Sequence, residues 1–262
     1  MEDLRKYNPE GSTLRKAQLR MLDILKVFDA ICQKHGIEYT LDGGTLIGAV
    51  RHGGFIPWDD DLDVNVTRDD LLKLREILPN ELPDNLVYQD YMTEPYYPNL
   101  IAKIRDKHSY IFEEECTNRF KEKGIFIDII PIEEVPNLKW KANLDYWYGH
   151  CLRSIHHYYD IKDRMLSYIV LPFAWTLVQL TRFVNKFRHV NQLSHEYGWQ
   201  AYGGFSKKDY YPIKRIPFEG FQACVPHNPD AVLTALFGDY MQIPPEEKRI
   251  VHSTKIEFYD EE

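Results

Sequence analysis

Between Ser12 and His35 the apolar residues Leu14, Met21, Leu25, Phe28 and Cys32 recur at helical spacing, with Leu22 and Ile31 beside them. Gly36 follows as a natural stop, so this stretch predicts one long helix. "IEYTL" (37–41) then predicts a short strand, and "DGGTLIGAVRHGG" a tight turn leading into a short helix. After that the period shortens. Leu62, Val64 and Val66 alternate with Asp61, Asp63 and Asn65, which is the two-residue repeat of a strand. Thr67 followed by Asp70 predicts a helix start for "RDDLLKLREIL". Further strands are expected at "NLVYQDY" (85–91), "LIAKIRD" (100–106) and "GIFIDIIPI" (124–132). From about 137 to 200 the pattern turns helical and rich in aromatics. From Tyr210 prolines punctuate the chain, with one helix expected at "PDAVLTALFG" and a last strand at "STKIEFYD".

This pattern predicts an α+β protein, a mixed β-sheet with packed helices and a helical subdomain after it. The expected division is a catalytic core over 1–136, the helical subdomain over 137–208, and a segment over 209–262 that packs back on the core. "LSYIVLPFAWTLVQL" (166–180) is shorter than a membrane span requires and is interrupted by Pro172. The expectation there is a packed helix pair, with an interfacial helix as the alternative.

A 44% hydrophobic share is ample for a core, and the net charge of −8 comes with no lysine- or arginine-rich run. That excludes nucleic acid as the main partner, because phosphate neutralisation needs a basic stripe. The four cysteines, Cys32, Cys116, Cys151 and Cys224, are widely spaced and read as reduced thiols. The N-terminus has no apolar run of a secretory signal. The expected location is the cytoplasm, with peripheral association at the inner membrane face as the alternative.

Charge changes the picture most at "GGFIPWDDDLDVNV" (53–66), where Asp59, Asp60, Asp61 and Asp63 lead into a strand. Residues two apart on a strand project together, so Asp61 and Asp63 share a face, and Asp59 joins them if the extended run begins that early. At about 4 Å and an effective dielectric near 20, each such pair repels by about 4 kcal/mol. That repulsion is relieved by a hard divalent cation: Mg²⁺, with Mn²⁺ as the alternative. Asp128, the one charge inside "IFIDIIPI", is the expected third carboxylate; otherwise it caps a loop at a strand end. An EF-hand is excluded. Its sixth and twelfth places hold Val66 and Leu72 counting from Asp61, or Val64 and Asp70 counting from Asp59.

Gly43, Gly44 and Thr45, at a strand-to-helix turn, form a candidate phosphate cradle. The turn has neither a Walker nor a Rossmann pattern. Arg51, and Lys103 with Arg105 on one strand face, are candidate phosphate-stabilising cations; the other reading of each is a surface cation paired with an acid. His52 and His252 read as structural residues, and Trp58 as packing beneath the acidic loop.

The stretch "YTLDGGTLIGAVRHGGFIPWDDDLDV" resembles the signature of the LicD family, bacterial phosphocholine transferases whose relatives include fukutin and fukutin-related protein. The likeness extends to "IAKIRDK" (101–107), to "FIDIIPI" (126–132), and to "PFEGFQACVP", "LFGDYMQIPPEEKR" and His252 in the tail; 137–200 has no clear counterpart. The resemblance implies a nucleotidyltransferase fold. It also implies transfer of a phospho-alcohol from a CDP-alcohol donor to a glycan or glycolipid acceptor, of the lipopolysaccharide or capsule kind, with release of CMP. In that reading Asp61 and Asp63 bind Mg²⁺ against the diphosphate. Asp59 is an extra ligand, and Asp128 is either a ligand or the acceptor of the attacking hydroxyl's proton. Two rivals remain: a CTP-dependent nucleotidyltransferase that activates a sugar or alcohol phosphate, and a non-catalytic glycan-binding relative.

Overall fold

The computed structural model describes residues 3–94, 97, 100–113, 121–156, 160–199, 203–249 and 253–259; Cys116 and His252 lie outside them. Helix α1 (Thr13–His35) starts where the Ser12 hydroxyl accepts the N–H of Arg15, and it stops at Gly36 in a left-handed turn. Its apolar stripe, including Met21, Leu25, Phe28 and Cys32, is buried. Strand β1 (Tyr39–Leu41) runs into helix α2 (Gly43–His52), and β2 (Asp63–Thr67) into α3 (Arg68–Glu81), whose cap is the Thr67 hydroxyl accepting from Asp70.

Next come β3 (Leu86–Gln89), β4 (Ala102–Asp106), β5 (Ser109–Glu113) and β6 (Phe126–Glu134). The main sheet has the order β1-β2-β6-β4-β3, with β2 and β6 parallel and the other pairs antiparallel. It is the expected mixed sheet of an α+β protein. Val64, Asn65 and Val66 are all buried, as suits a central strand covered on both faces.

The helical stretch is α4 (Leu138–Leu144), a π turn, α5 (His150–His156) and α6 (Ile161–Asn185). Two expectations need correcting here. First, the last part of 137–208 is not helical: β7 (Gln192–His195) adds to the end of β6, and β8 (Phe205–Ser206) adds to β7. These strands are too short to carry a period, and pairing with the β6 end decides their conformation. Second, α6 is one helix through Pro172 rather than a packed pair, and most of its apolar side chains are exposed. Pro172 itself lies exposed, where the missing N–H costs less than in a packed interior.

In the tail, a one-turn helix α7 (Lys207–Tyr210) precedes a β9–β10 hairpin (Lys214–Phe218 with Phe221–Val225). The expected helix α8 (Pro229–Phe237) follows, and the expected final strand β11 (Ser253–Phe258) pairs with β5. One core joins Met21 and Leu25 of α1, Val64 and Ile129 of the sheet, and Phe218, Val225, Leu233 and Tyr240 of the tail.

Candidate active site

Backbone register assembles the site. Asp63 is opposite Asp128 on β6, and Asp128 is opposite Lys103 on β4. Directly paired residues project from the same face, so three charged side chains stand in one row across three strands. The Asp42 N–H donates to the Asp63 carbonyl, which continues the row to the end of β1. Gln89, opposite Lys103, continues it onto β3. Lys103 is buried, with Nζ 2.8 Å from Asp128 Oδ1 and seated over the Phe126 ring.

The loop before β2 delivers the remaining carboxylates. Its backbone is held by Gln18 of α1, whose amide donates to the Asp59 carbonyl at 2.9 Å. Trp58 is buried, edge-on to Tyr7, with Arg249 over its ring. Asp59 is pushed well above the usual carboxylate range, by burial first, then by the charge of Asp61, a hydrogen bond with Asp61 and the charge of Asp60. Asp63 is pushed up by burial, then by Asp61, Asp128, Asp42 and Asp59 in turn. Both shifts disfavour the ionised carboxylates, through loss of water first and through the neighbouring aspartates second.

The glycines make room for that charge. A methyl group on Gly44 would sit 2.7 Å from Asp59 Oδ2, and one on Gly43 would sit 3.1 Å from Asp63 Oδ2; Gly43 also has φ +51. Thr45 has a task the sequence did not suggest. It is buried, and its hydroxyl accepts the Asp63 N–H at 2.9 Å, fixing the start of β2.

The three candidate cations separate. Lys103 joins the carboxylates. Arg51 donates to the carbonyls of Tyr240 and Gln242 and to His52 Nε2, within electrostatic range of Asp59; burial lowers its affinity for a proton while Asp59 opposes that shift. Arg105 is fully buried, bonded to Gln89 Oε1 and the Gly124 carbonyl and packed over Phe126. It shares the face of Lys103, and these bonds hold its guanidinium inside the sheet.

A buried Asp42–His195 pair was not anticipated. His195 Nε2 lies 2.8 Å from Asp42 Oδ2, across 153 positions of chain. Burial would raise the Asp42 carboxyl, but the charge and hydrogen bond of His195, with help from Gly43 and Asn65, hold it below the usual range. Asp42 was legible only as the residue before the glycine pair. His195, on a strand the periodicity did not reveal, gave no signal.

Among the described residues, no three acidic, imidazole or thiol groups close around a common point. Mg²⁺ does not require that, because it takes one or two carboxylates and completes its shell with water and substrate phosphate. The acidic donor set fits such an ion. A groove of about 930 Å³ lies elsewhere: it is bounded by Thr67, Glu133 and Glu134 at the far ends of β2 and β6, and by Arg182 and Phe183 of α6. The row of Asp63, Asp128 and Lys103 sits at the opposite end of β2 and β6.

The family model described as LicD/FKTN/FKRP, nucleotidyltransferase domain, matches residues 36–165, which include every carboxylate above and Lys103. The chain is 30% identical over 264 residues to the lipopolysaccharide cholinephosphotransferase LicD of Haemophilus influenzae, covering 92% of this chain and 96% of that one. It is 36% identical over 66 residues to the mouse ribitol 5-phosphate transferase FKRP, covering 25% of this chain and 13% of that one. With the human FKRP the match is 44% over 41 residues, covering 16% and 8%.

Proposed function

The chain belongs to the LicD family of phosphotransferases, and on that premise we propose that it moves a phospho-alcohol, phosphocholine or a close analogue, from a CDP-alcohol to a glycan hydroxyl, releasing CMP. One observation carries the reading: Asp63, Asp128 and Lys103 stand in a single cross-strand row, with Asp59 and Asp61 leading into it beside a glycine pair.

Phosphoryl transfer depends on charge neutralisation and in-line placement more than on covalent help. Asp61 and Asp63 are the residues that would hold Mg²⁺ (or Mn²⁺), with Asp59 and Asp128 as alternative donors beside them, and the ion would supply positive charge against the diphosphate. The chain's own residues do the rest. Thr45 and Gln18 fix the backbone that carries the carboxylates. The bare backbone at Gly43 and Gly44 keeps space for the Asp63 and Asp59 carboxylates beside the start of α2. Lys103 balances one carboxylate of the row. Asp128 serves either as a donor to the ion or as the acceptor of the proton lost by the attacking hydroxyl.

The test is product analysis. With CDP-choline, a glycan acceptor and Mg²⁺, the expected product is CMP. Release of pyrophosphate from CTP and phosphocholine would replace transfer with nucleotide activation. Neither product, together with no Mg²⁺-dependent nucleotide binding by calorimetry, would make the protein a non-catalytic glycan binder. Asp61→Asn and Asp63→Asn should each lower CMP release by roughly a thousandfold or more, the scale of losing a principal electrostatic contributor.

A further inference from the structure

Helix α6 buries a narrow strip and exposes most of its apolar side chains. Ser167, Ala174, Val178 and Asn185 are its buried residues, and their spacings of 7, 4 and 7 place them on one narrow line along the helix. On the opposite side Met165, Ile169, Phe173, Leu180, Phe183 and Phe187 are between 54% and 77% exposed. The outward face is therefore more apolar than the inward one, the reverse of a surface helix in water. Among the described residues, the small cluster beneath it, Val135, Leu144, Val178 and Tyr197, takes in only Val178 from this helix.

We propose that this face of α6 docks flat on an anionic lipid bilayer. Residues 165–181 contain no Asp, Glu, Lys or Arg, a charge-free run of about 25 Å by helical rise. Exposed cations bracket it, Lys162 and Arg164 before it and Lys186 and Arg188 after it. Between 137 and 190 there are eight lysines and arginines against three aspartates and no glutamate, in a chain whose net charge is −8. The charge thus changes sign where the apolar surface is exposed, which complements an anionic headgroup layer. Trp140, Tyr146 and Trp147 on the neighbouring helical segment are also exposed, and aromatics of this kind seat at the headgroup level.

Protein along its full inward strip keeps α6 from crossing the bilayer, although by length and hydropathy it could. A second copy of the chain is the weaker occupant. Exposed Leu166, Tyr168, Trp175 and Leu177 widen the apolar surface well beyond the seam that two helices share.

The test is co-sedimentation of the full chain with vesicles of phosphatidylglycerol and phosphatidylcholine, against phosphatidylcholine alone. The expected result is binding that favours the anionic vesicles. Ile169→Asp and Phe173→Asp should each lower partitioning on the order of tenfold or more. Lys186→Gln and Arg188→Gln should each lower it roughly fivefold on anionic vesicles. Because all four side chains are exposed, the melting temperature and the release of CMP from a soluble donor should be unchanged. Wild-type protein that stays in the supernatant overturns the proposal, as does binding that survives both aspartate substitutions. Light scattering that shows a dimer dispersed by Phe173→Asp, without vesicle binding, assigns the face to a second copy instead. None of these results bears on the carboxylates, so the transfer reading stands or falls separately.

Discussion

At position 44 a methyl group would meet a carboxylate oxygen of Asp59 at 2.7 Å, so a side chain there forces that carboxylate to move. Gly44→Ala should therefore push Asp59 out of place, with loss of CMP release far exceeding the loss of stability; the two are read by turnover and by thermal melting of the same preparation. His52 gives a pH prediction. Burial, then the charge of Arg51, lowers its proton affinity to about 4, and its neutral ring accepts from Arg51 Nε. A histidine depressed in the folded state stabilises the protein above its unfolded value near 6.5. That contribution is lost as pH falls from there toward about 4. His52→Gln should flatten the decline in stability over that window, and an unchanged slope in urea titrations would remove His52 as its source. The acidic residues were legible because like charges at a strand mouth need a counter-ion. Asp42 and His195 were not, because 153 positions separate them and only the folded sheet brings them within 2.8 Å.

Strands β2, β6 and β4 bring their charges together through register alone, so the row can be perturbed without touching the loops. Removing one partner of a buried ion pair strands the other, at a cost of about 3–5 kcal/mol. Lys103→Met should accordingly destabilise the protein by that order in urea denaturation. Adding Asp128→Leu should return most of the stability while leaving turnover lost. A double variant no more stable than the single would show that Lys103 contributes by packing on Phe126 and not by charge. At this scale the sequence spoke clearly where elements are long or periodic: α1, β2, α3, β6 and α8 lie where their patterns place them. It was silent on the β9–β10 hairpin, whose two-residue turn is Glu219–Gly220 with φ 51 and 75. A glutamate in the left-handed region is an uncommon turn former. Its carboxylate accounts for the choice, since it accepts the Phe55 N–H and pairs with Arg15 at 2.7 Å. The hairpin tip thereby holds the loop that leads to the acidic run.

The molecule as a whole is built so that its tail, residues 209–262, completes the core begun by its first half. Tyr210 is buried, stacks on Phe205 and hydrogen-bonds Thr40 of β1. Phe218, Val225 and Leu233 are fully or almost fully buried in the same core as α1 and the sheet. Arg51 is anchored on the carbonyls of Tyr240 and Gln242, which ties α2, the helix after the glycine pair, to the tail. Sequence patterns describe segments and their faces, so this closure could be expected but its contacts could not be read. Each large apolar side chain uncovered forfeits about 1.5–3 kcal/mol. A domain has only about 5–15 kcal/mol of net stability to lose. Cutting the chain after residue 208 removes several such side chains together with the Arg51 anchor. The expected outcome is a truncated protein with no cooperative urea transition and a collapsed near-ultraviolet circular dichroism signal. Helical content should persist in part, because α1 carries its own caps and stripe. If residues 1–208 melted in one sharp transition and still released CMP, the sheet would be a self-sufficient unit, and the closure of the core by the tail would have no energetic weight.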